Sequence, residues 1–341
     1  MTRPTASPRL IQRWAVNLDD HVIALAPSPD AAQHIALASV SGPVLIVHRQ
    51  TGEIVHRFAG HRRGTLSLSW RRDGQILASG GQDGMVRLWD VAVGTEWLAL
   101  EAGSAWVQRV AFAQTTDLLV SGAGRRLRLW DGSGGLERDY PDLPGTVNDL
   151  AWKPGGKVFA VATNGLLAIF SPDADQPTHK LELAVPMLAL AWSPDGKVIV
   201  TGNQNGTMNY WRYRSNDNLQ MSGYPMKVRE LAWDSSGRYL ASGGGPTVVV
   251  WDTSGKGPRG TTPHMLELHE VPIEVLAYQP AGVWLASGDG DGLLAIWQPS
   301  SSKTPLAKLQ LPAGLACLAW LPGGNQLVVG CADGTAMLLD V

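Results

Sequence analysis

The segment LAWSPDGK, residues 190–197, decides the fold of this chain, because related segments recur along almost the whole sequence. The clear copies are LSWRRDGQ (68–75), LAWKPGGK (150–157), LAWDSSGR (231–238), LAYQPAGV (276–283) and LAWLPGGN (318–325), and the weaker ones are LAPSPDAA (25–32) and VAFAQTTD (110–117). Aligned on their third residue, successive copies lie 40 to 45 residues apart. The aligned residues are Pro27, Trp70, Phe112, Trp152, Trp192, Trp233, Tyr278 and Trp320. A constant period of this length indicates a repeat architecture of eight similar units.

A second series of segments follows the first in every unit, 18 to 20 residues behind it. Its members are LIVHR, VRLWD, LRLWD, LAIFS, MNYWR, VVVWD, LAIWQ and AMLLD. Ten of the 14 tryptophans fall in the two series, which indicates that their main role is packing. A third β-type run lies between the series and ends in a glycine-rich turn, as in ILASGGQDG, and a fourth lies upstream, as in EIVHRF. Four antiparallel strands per unit, repeated without a helical spacer, predict a propeller.

With these repeats the chain resembles the WD40-repeat β-propeller family over nearly its whole length. The residues that carry the resemblance are the pairs Trp89–Asp90, Trp130–Asp131 and Trp251–Asp252, together with Gly60–His61. The resemblance implies an all-β fold, a closed WD40-type β-propeller. We predict eight four-stranded blades, since the weak first unit keeps the spacing. The alternative is a seven-bladed ring in which that unit is an appendage.

The two ends of the sequence predict how the ring closes. The last unit stops after its third strand, TAMLLDV, and the segment RLIQRWAVNL (9–18) has the length of the missing fourth strand. Its pairing there would remove the open sheet edges that favour aggregation. We expect residues 1–8 to form a flexible tail and residues 9–341 to form one propeller domain. The inner strands are expected near 22–27, 65–70, 107–112, 147–152, 187–192, 228–233, 273–278 and 315–320.

Composition limits the classes of function. The 341 residues carry a formal net charge of −2, whereas a dedicated nucleic-acid binder is usually strongly basic. No apolar run is long enough to cross a membrane, and the first residues lack the apolar core of a secretory signal. The two cysteines, Cys317 and Cys331, have neither a disulfide-framework spacing nor a metal-type spacing. We therefore expect a cytoplasmic protein without a metal or a cofactor.

A serine, a histidine and an aspartate in unit two allow two opposite interpretations. Carried over to this sequence, the family pattern implies a network of His61, Ser79, Asp83 and Trp89. The same offsets in unit seven give His269, Ser287, Asp291 and Trp297. A catalytic triad would use the serine as nucleophile, whereas a structural network would fasten the turn to its blade. We predict the structural role, because the constellation belongs to the repeat and neither serine lies in a GxSxG turn.

The resemblance also implies that partners bind at the rim where the inner strands begin. Transferred positions and the charged residues near them give Gln82, Trp106, Gln108, Arg125, Arg126, Asn148, Gln204, Lys227, Arg229 and Glu274. A rim tryptophan such as Trp106 would be an anchor, since aromatic residues dominate interface hot spots; alternatively it packs on its own loop. Arginines beside an aromatic suit an acidic or phosphorylated peptide, and the alternative is an ordinary solvated surface.

We therefore predict a non-catalytic scaffold, a monomeric propeller within a larger complex, that binds one or more proteins or peptides at the upper rim. Nucleic acid is not expected as a partner. The alternative is a propeller enzyme, either lactonase-like or a metal-dependent hydrolase, that uses the central channel. Such an enzyme needs polar side chains converging on the channel from several blades, and the offsets supply Asn148, Glu274 and His21.

Overall fold

The computed structural model describes residues 8–29, 33–215 and 217–341, and every helix-or-strand element in these ranges is a β-strand. The expected tail lies outside the described residues apart from Pro8. The first strands are β1 (Ile11–Asn17), β2 (Val22–Pro27), β3 (His34–Ser39), β4 (Val44–His48), β5 (Ile54–Phe58), β6 (Thr65–Trp70), β7 (Ile76–Gly81), β8 (Met85–Asp90), β9 (Thr95–Glu101) and β10 (Val107–Phe112). They are followed by β11 (Leu119–Ala123), β12 (Arg126–Trp130), β13 (Leu136–Asp139), β14 (Val147–Trp152), β15 (Phe159–Phe170), β16 (His179–Trp192), β17 (Val198–Asn203), β18 (Met208–Arg212), β19 (Asn218–Met221) and β20 (Leu231–Trp233). The last are β21 (Tyr239–Ser242), β22 (Thr247–Asp252), β23 (His264–Glu267), β24 (Ile273–Tyr278), β25 (Leu285–Asp289), β26 (Leu293–Trp297), β27 (Ala307–Gln310), β28 (Leu315–Trp320), β29 (Gln326–Cys331) and β30 (Thr335–Asp340).

These strands form antiparallel sheets arranged in a closed ring. Within a unit the strands follow one another outward, as in the sheet β2–β3–β4–β5. The first strand of each unit contacts the first strands of both neighbouring units, in the cycle β2, β6, β10, β14, β16, β20, β24, β28 and back to β2. The predicted closed all-β propeller is confirmed, and the first unit is a full member of the ring rather than an appendage.

Units four and five are joined into one sheet of six strands, β14 to β19, while the other sheets have four strands each. Strand β15 does the work of two strands, because residues 159–163 pair with β14 and residues 164–169 pair with β16. Strand β16 also serves twice, since its first half pairs with β15 and residues 187–192 pair with β17. The eight repeats therefore occupy seven separate sheets.

The ring closes where the sequence predicts. Strand β1 pairs antiparallel with β30, from Ile11 opposite Asp340 to Asn17 opposite Thr335. It becomes the outer strand of the sheet that the last unit begins, in the order β28–β29–β30–β1. Hydrogen bonds between the first and last strands thus hold the ring together.

A bulge near the start of the inner strands determines which side chains face the axis. In every inner strand except β20, the pairing register shifts by one residue just after the first pair. A bulge leaves one residue unpaired and turns its side chain away from the sheet. The bulged residues are Ile23, Leu66, Gln108, Asn148, Leu188, Glu274 and Ala316.

Among the tryptophans that end inner strands, Trp233 has no hydrogen-bond partner for its buried Nε1 among the described residues, and the other four tie their unit to the one before it. Their indole N–H groups donate to a backbone carbonyl of the preceding inner strand: Trp70 to Ala26 at 2.8 Å, Trp152 to Ala111 at 2.9 Å, Trp192 to Ala151 at 3.2 Å, and Trp320 to Ala277 at 3.0 Å. We call this end of the ring the lower end, and the end where the inner strands begin the upper end. Turns between second and third strands lie at the upper end, and turns after first and third strands lie at the lower end.

Candidate functional site

The network predicted in unit two is formed as a continuous chain of hydrogen bonds. Trp89 Nε1 donates to Ser79 Oγ at 2.8 Å, and Ser79 Oγ lies 2.8 Å from His61 Nε2. His61 Nδ1 lies 2.8 Å from Asp83 Oδ1, and the same carboxylate oxygen accepts the N–H of Met85 at 3.2 Å. The chain links strands β7 and β8, the turn between them and the segment that precedes β6, which fits the structural role expected of it.

Burial decides between the two interpretations of this triad-like geometry. Burial lowers the pKa of His61 against the opposing effect of Asp83, so the neutral ring can accept the Ser79 hydroxyl proton at Nε2 and donate at Nδ1. The Ser79 residue is 0% exposed and His61 is 3% exposed. A nucleophile must be accessible to its substrate, whereas the Ser79 hydroxyl is buried and already accepts a hydrogen bond from the indole N–H of Trp89. This geometry fits a network that fastens the turn to its blade better than a triad open to a substrate.

The predicted aspartate of unit seven is wrong. His269 Nδ1 lies 2.6 Å from Asp289 Oδ2, and not against Asp291, while the serine and tryptophan, Ser287 and Trp297, are placed as predicted. Asp291 lies two residues further along and its side chain is exposed. Its backbone N–H donates to Asp289 at 3.0 Å.

The reason for this exchange lies at the end of the second strand. In unit two Gly81 ends β7, and an added Cβ there would come within 2.1 Å of the His61 ring. Asp289 occupies the corresponding last position of β25, where it is 2% exposed and reaches the histidine from the strand itself. Asp289 thus bonds its histidine from the end of the strand, whereas in unit two the partner of the histidine is Asp83, which lies further along in the turn.

Unit six contains a related network that the sequence did not indicate. Tyr224 stands where units two and seven have histidine; its hydroxyl lies 2.8 Å from Ser242 Oγ and accepts the indole N–H of Trp251 at 2.9 Å. In unit five, by contrast, the buried Thr201 Oγ1 and Trp211 Nε1 have no hydrogen-bond partner among the described residues. A pattern search for histidine misses Tyr224, because the substitute differs in type and only the serine and tryptophan are kept.

The upper end of the ring contains an open axial cavity of about 590 Å³. Four of the predicted rim residues line it: Trp106, Gln108, Arg229 and Glu274. The Trp106 residue is 51% exposed, so it does not pack closely on its own loop. Bulges of the inner strands place two of the four, Gln108 and Glu274.

Two further charged residues of the axial cavity were not predicted, Arg109 and Glu230. Arg109 Nε donates to Asp149 Oδ1 of the next unit at 2.9 Å, so its charge is paired. Burial raises the pKa of Glu230 to about 7, and the nearby Glu274 adds to this increase. Sequence offsets missed both because each directly follows a residue that the family pattern assigns to the rim, Gln108 or Arg229.

The other predicted rim residues lie outside the axial cavity. Two of them, Asn148 and Arg125, already have their side chains hydrogen-bonded within the protein. The amide of Asn148 donates to Asn164 Oδ1 and to the Met187 carbonyl, each at 2.8 Å. Arg125 donates to the Leu143 carbonyl at 2.6 Å. The remaining residues are the ion-paired Arg126, the half-buried Gln82, and the exposed Gln204 and Lys227.

The surroundings of the two cysteine thiols in unit eight oppose their ionisation. Burial raises the pKa of Cys317 to about 12 and that of Cys331 to about 11. In the described ranges, no group of three or more His, Cys, Asp and Glu side chains is placed to hold a metal ion. The same ranges contain no helix whose length and hydropathy would allow it to cross a membrane.

Repeated antiparallel four-stranded units closed into a ring, with a Trp–Ser–His–Asp network in two of them, define a WD40-type propeller. Residues 21–255 match the family model described as the first β-propeller of IFT122, and residues 260–298 and 303–340 match the WD domain, G-beta repeat. The chain belongs to the WD40-repeat β-propeller family.

Individual proteins similar to this chain support the same assignment. WD repeat-containing protein slp1 of Schizosaccharomyces pombe is 29% identical over 199 residues, which are 52% of this chain and 41% of that protein. THO complex subunit 3 of Arabidopsis thaliana is 24% identical over 285 residues, 81% of this chain and 89% of that protein. The crystal structure of the computationally designed Ika8 protein shares the fold, with a TM-score of 0.82, 23% identity, and coverage of 95% of this chain and 98% of that one.

Proposed function

We propose that this chain is a non-catalytic interaction scaffold that binds a segment of a protein partner in the axial cavity at the upper end. The observation that carries the proposal is the cavity itself, which opens on the ring axis and is lined by side chains from six of the eight units. Binding sites on propellers lie on loops and strand ends held by the sheets, and this cavity has that position. A scaffold role agrees with the family assignment, since one similar protein, THO complex subunit 3, is named as a subunit of a complex.

The chemistry of the cavity suggests how a partner would be held. Trp106 offers an exposed aromatic face on one wall, and aromatic residues supply much of the binding energy at interfaces. Arg229 is exposed, and its guanidinium is not among the ion-paired cations of the described residues. We therefore propose that the bound segment directs an acidic or phosphorylated side chain at Arg229, and that the propeller acts as a single ring within a larger complex.

A capture experiment tests this function. The immobilised chain and its Trp106→Ala/Arg229→Glu variant are incubated with the same lysate, and bound proteins are identified by mass spectrometry. The control is Trp97→Ala/Lys308→Glu, which changes a 40% exposed tryptophan and an exposed lysine on outer strands. A partner retained by the wild type and the control but lost by the cavity variant is the expected result. Equal capture by all three proteins would place the binding surface elsewhere.

One observation favours the enzymatic alternative. A carboxyl group whose pKa is raised to about 7 inside a cavity, as for Glu230, suits general acid–base catalysis at neutral pH. Aryl esters and lactones incubated with the wild type and with Glu230→Gln would distinguish the two functions. Turnover that the substitution abolishes would favour the enzyme, whereas its absence in both proteins is the result that the scaffold predicts.

A further inference from the structure

The lower end of the ring carries a positively charged groove between units four and five. It measures about 490 Å³ and is lined by Lys153, Lys157, Lys197 and Arg214, with Tyr213 among them and Asp195 as the acidic lining residue. These cations come from three different turns, two after inner strands and one after a third strand. The groove is separate from the axial cavity, which opens at the upper end. We call this feature the lower groove.

In its unit-four turn, the lower groove lacks the acidic residue that unit two has at the same position. In unit two the corresponding turn pairs Arg71 with Asp73, whose atoms Nη2 and Oδ2 lie 2.6 Å apart. In unit four Lys153 takes the place of the arginine, and Gly155 takes the place of the aspartate. Lys153 therefore forms no ion pair with a carboxylate of the described residues.

A second neutralising position is also changed in these two units. In unit six Arg238 ends the lower turn and pairs at 2.7 Å with Asp252, the residue after the third-strand tryptophan. Lys157 and Lys197 end the corresponding turns of units four and five. Opposite them the aspartate is replaced by Ser171 and by Arg212.

Tyr213 positions two of the cations, Lys153 and Arg214, without cancelling their charge. The Lys153 ammonium lies 6.0 Å and the Arg214 guanidinium carbon 5.3 Å from the centre of the Tyr213 ring. Cation–π contacts orient a cation but leave its charge available, unlike a carboxylate. An added Cβ on Gly196 would lie 2.7 Å from Lys153 Nζ, so the lysine crosses to unit five over a residue without a side chain. Within the described part of the chain, Lys197 is the one cation of the groove with an ion-pair partner, Asp195 at 3.1 Å, and both side chains are exposed.

We propose that the lower groove binds a compact polyanion, a small molecule or headgroup that carries several phosphate groups. Four cations around one concave site, with one acid among them, offer charge-assisted hydrogen bonds from several directions at once. Lys157 and Lys197 project from adjacent blades, so their ammonium groups can reach different phosphates of the same ligand. The cations surround one groove rather than following a stripe across the face, which favours a compact ligand over a nucleic-acid strand.

Calorimetric titration of the full chain with tripolyphosphate and with inositol hexakisphosphate tests the proposal. We expect Lys157→Gln/Lys197→Gln to weaken binding by about tenfold or more, and added salt to weaken wild-type binding. The control is Lys303→Gln/Lys308→Gln, which removes the same charge from exposed positions of unit seven. Ser171→Asp is a sharper variant, because it restores the acid that unit six places opposite Arg238, and it should weaken binding while the chain stays folded.

Vesicles of phosphatidylcholine with and without phosphatidylinositol bisphosphate separate the two sources of such a ligand. Binding to both soluble probes and vesicles, or to either one alone, supports the proposal if the lysine variant loses it and the control keeps it. No binding to any of these probes at physiological ionic strength would overturn it, as would equal binding by the lysine variant. Capture of an oligonucleotide or a phosphopeptide without binding of the compact probes would also overturn it.

Discussion

Units two and five have the same arrangement of strands within the blade, yet the hydrogen bonding of their buried polar groups differs. In unit two the indole of Trp89 donates into a complete chain through Ser79 and His61 to Asp83. In unit five the corresponding Trp211 is buried without a partner among the described residues. Both tryptophans are nonetheless packed into the core. Apolar packing therefore builds the blade, and the polar network adds stability and fixes the turn.

Removal of the histidine from the more deeply buried network should have the largest effect on this comparison. In His269→Ala the carboxylate of Asp289 loses its histidine partner, and we expect a loss of about 3 kcal/mol in the free energy of unfolding. Urea denaturation followed by tryptophan fluorescence measures it. His179→Ala, at an exposed position, is the matched control, and equal losses in the two variants would show that the network adds nothing.

The two aspartates of unit seven offer the next largest effect. Asp289→Ala should cost about 2 kcal/mol, because it leaves His269 Nδ1 and two backbone N–H groups without their acceptor. Asp291→Ala should change stability by about 0.5 kcal/mol or less, as is usual for an exposed side chain. Thermal unfolding of both variants checks the assignment, and the reverse order would return the role to Asp291.

Replacing the two contrasted tryptophans separates hydrogen bonding from packing. Trp89→Phe and Trp211→Phe remove the same volume, but only the former removes a donor from a complete chain. We expect Trp89→Phe to be the more destabilising by about 1 kcal/mol. Equal losses, measured by denaturant unfolding, would mean that the hydrogen bond to Ser79 has no net value.

The smallest effect is a pH dependence of the network in unit two. Burial holds the pKa of His61 below its ordinary value of 6.5, and Arg87 lowers it further while Asp83 and Ser79 raise it. The unfolded chain therefore takes up a proton first as the pH falls. This contribution to stability is complete above 6.5 and is lost as the pH falls through the lower pKa of the folded state.

Its measurement is the difference in unfolding free energy between the wild type and His61→Gln, followed from about pH 7 to about pH 5. We expect the difference to shrink toward acid, by no more than about 1.4 kcal/mol per pH unit, the limit for one proton. A difference that stays constant or grows toward acid would mean that His61 is charged in the folded state.

The fold was predictable from sequence because each unit repeats the same strand signals at a constant period. Closure was predictable as well, since β1 supplies the strand that the last unit lacks. The merging of units four and five into one sheet was not predictable from the sequence. No turn residue indicates whether a strand ends at Pro186 or continues through it.

The site was predictable where a residue type or a position repeats from unit to unit, as for the four rim residues that line the axial cavity. The network of unit two follows from the family pattern. Asp289 was missed because Asp289 and Asp291 lie two residues apart, and on sequence alone either could be the partner of the histidine. Only the position at which β25 ends identifies Asp289 as that partner. Glu230 and the lower groove could not be predicted, because they depend on which residues of different units come close together in space. Lys157 and Lys197 are 40 positions apart in the chain, and the ring geometry brings their turns to one groove.

The pairing of β1 with β30 also has a consequence for biosynthesis. β1 leaves the ribosome long before its partner β30, which lies more than 300 residues further along the chain. Until then β1 has no neighbour in its own sheet, and the growing arc of blades has two open edges, which are sites for pairing with other chains. Joining strands more than 300 residues apart is a slow, non-local step, so the interval before it is when a nascent chain most needs protection from aggregation.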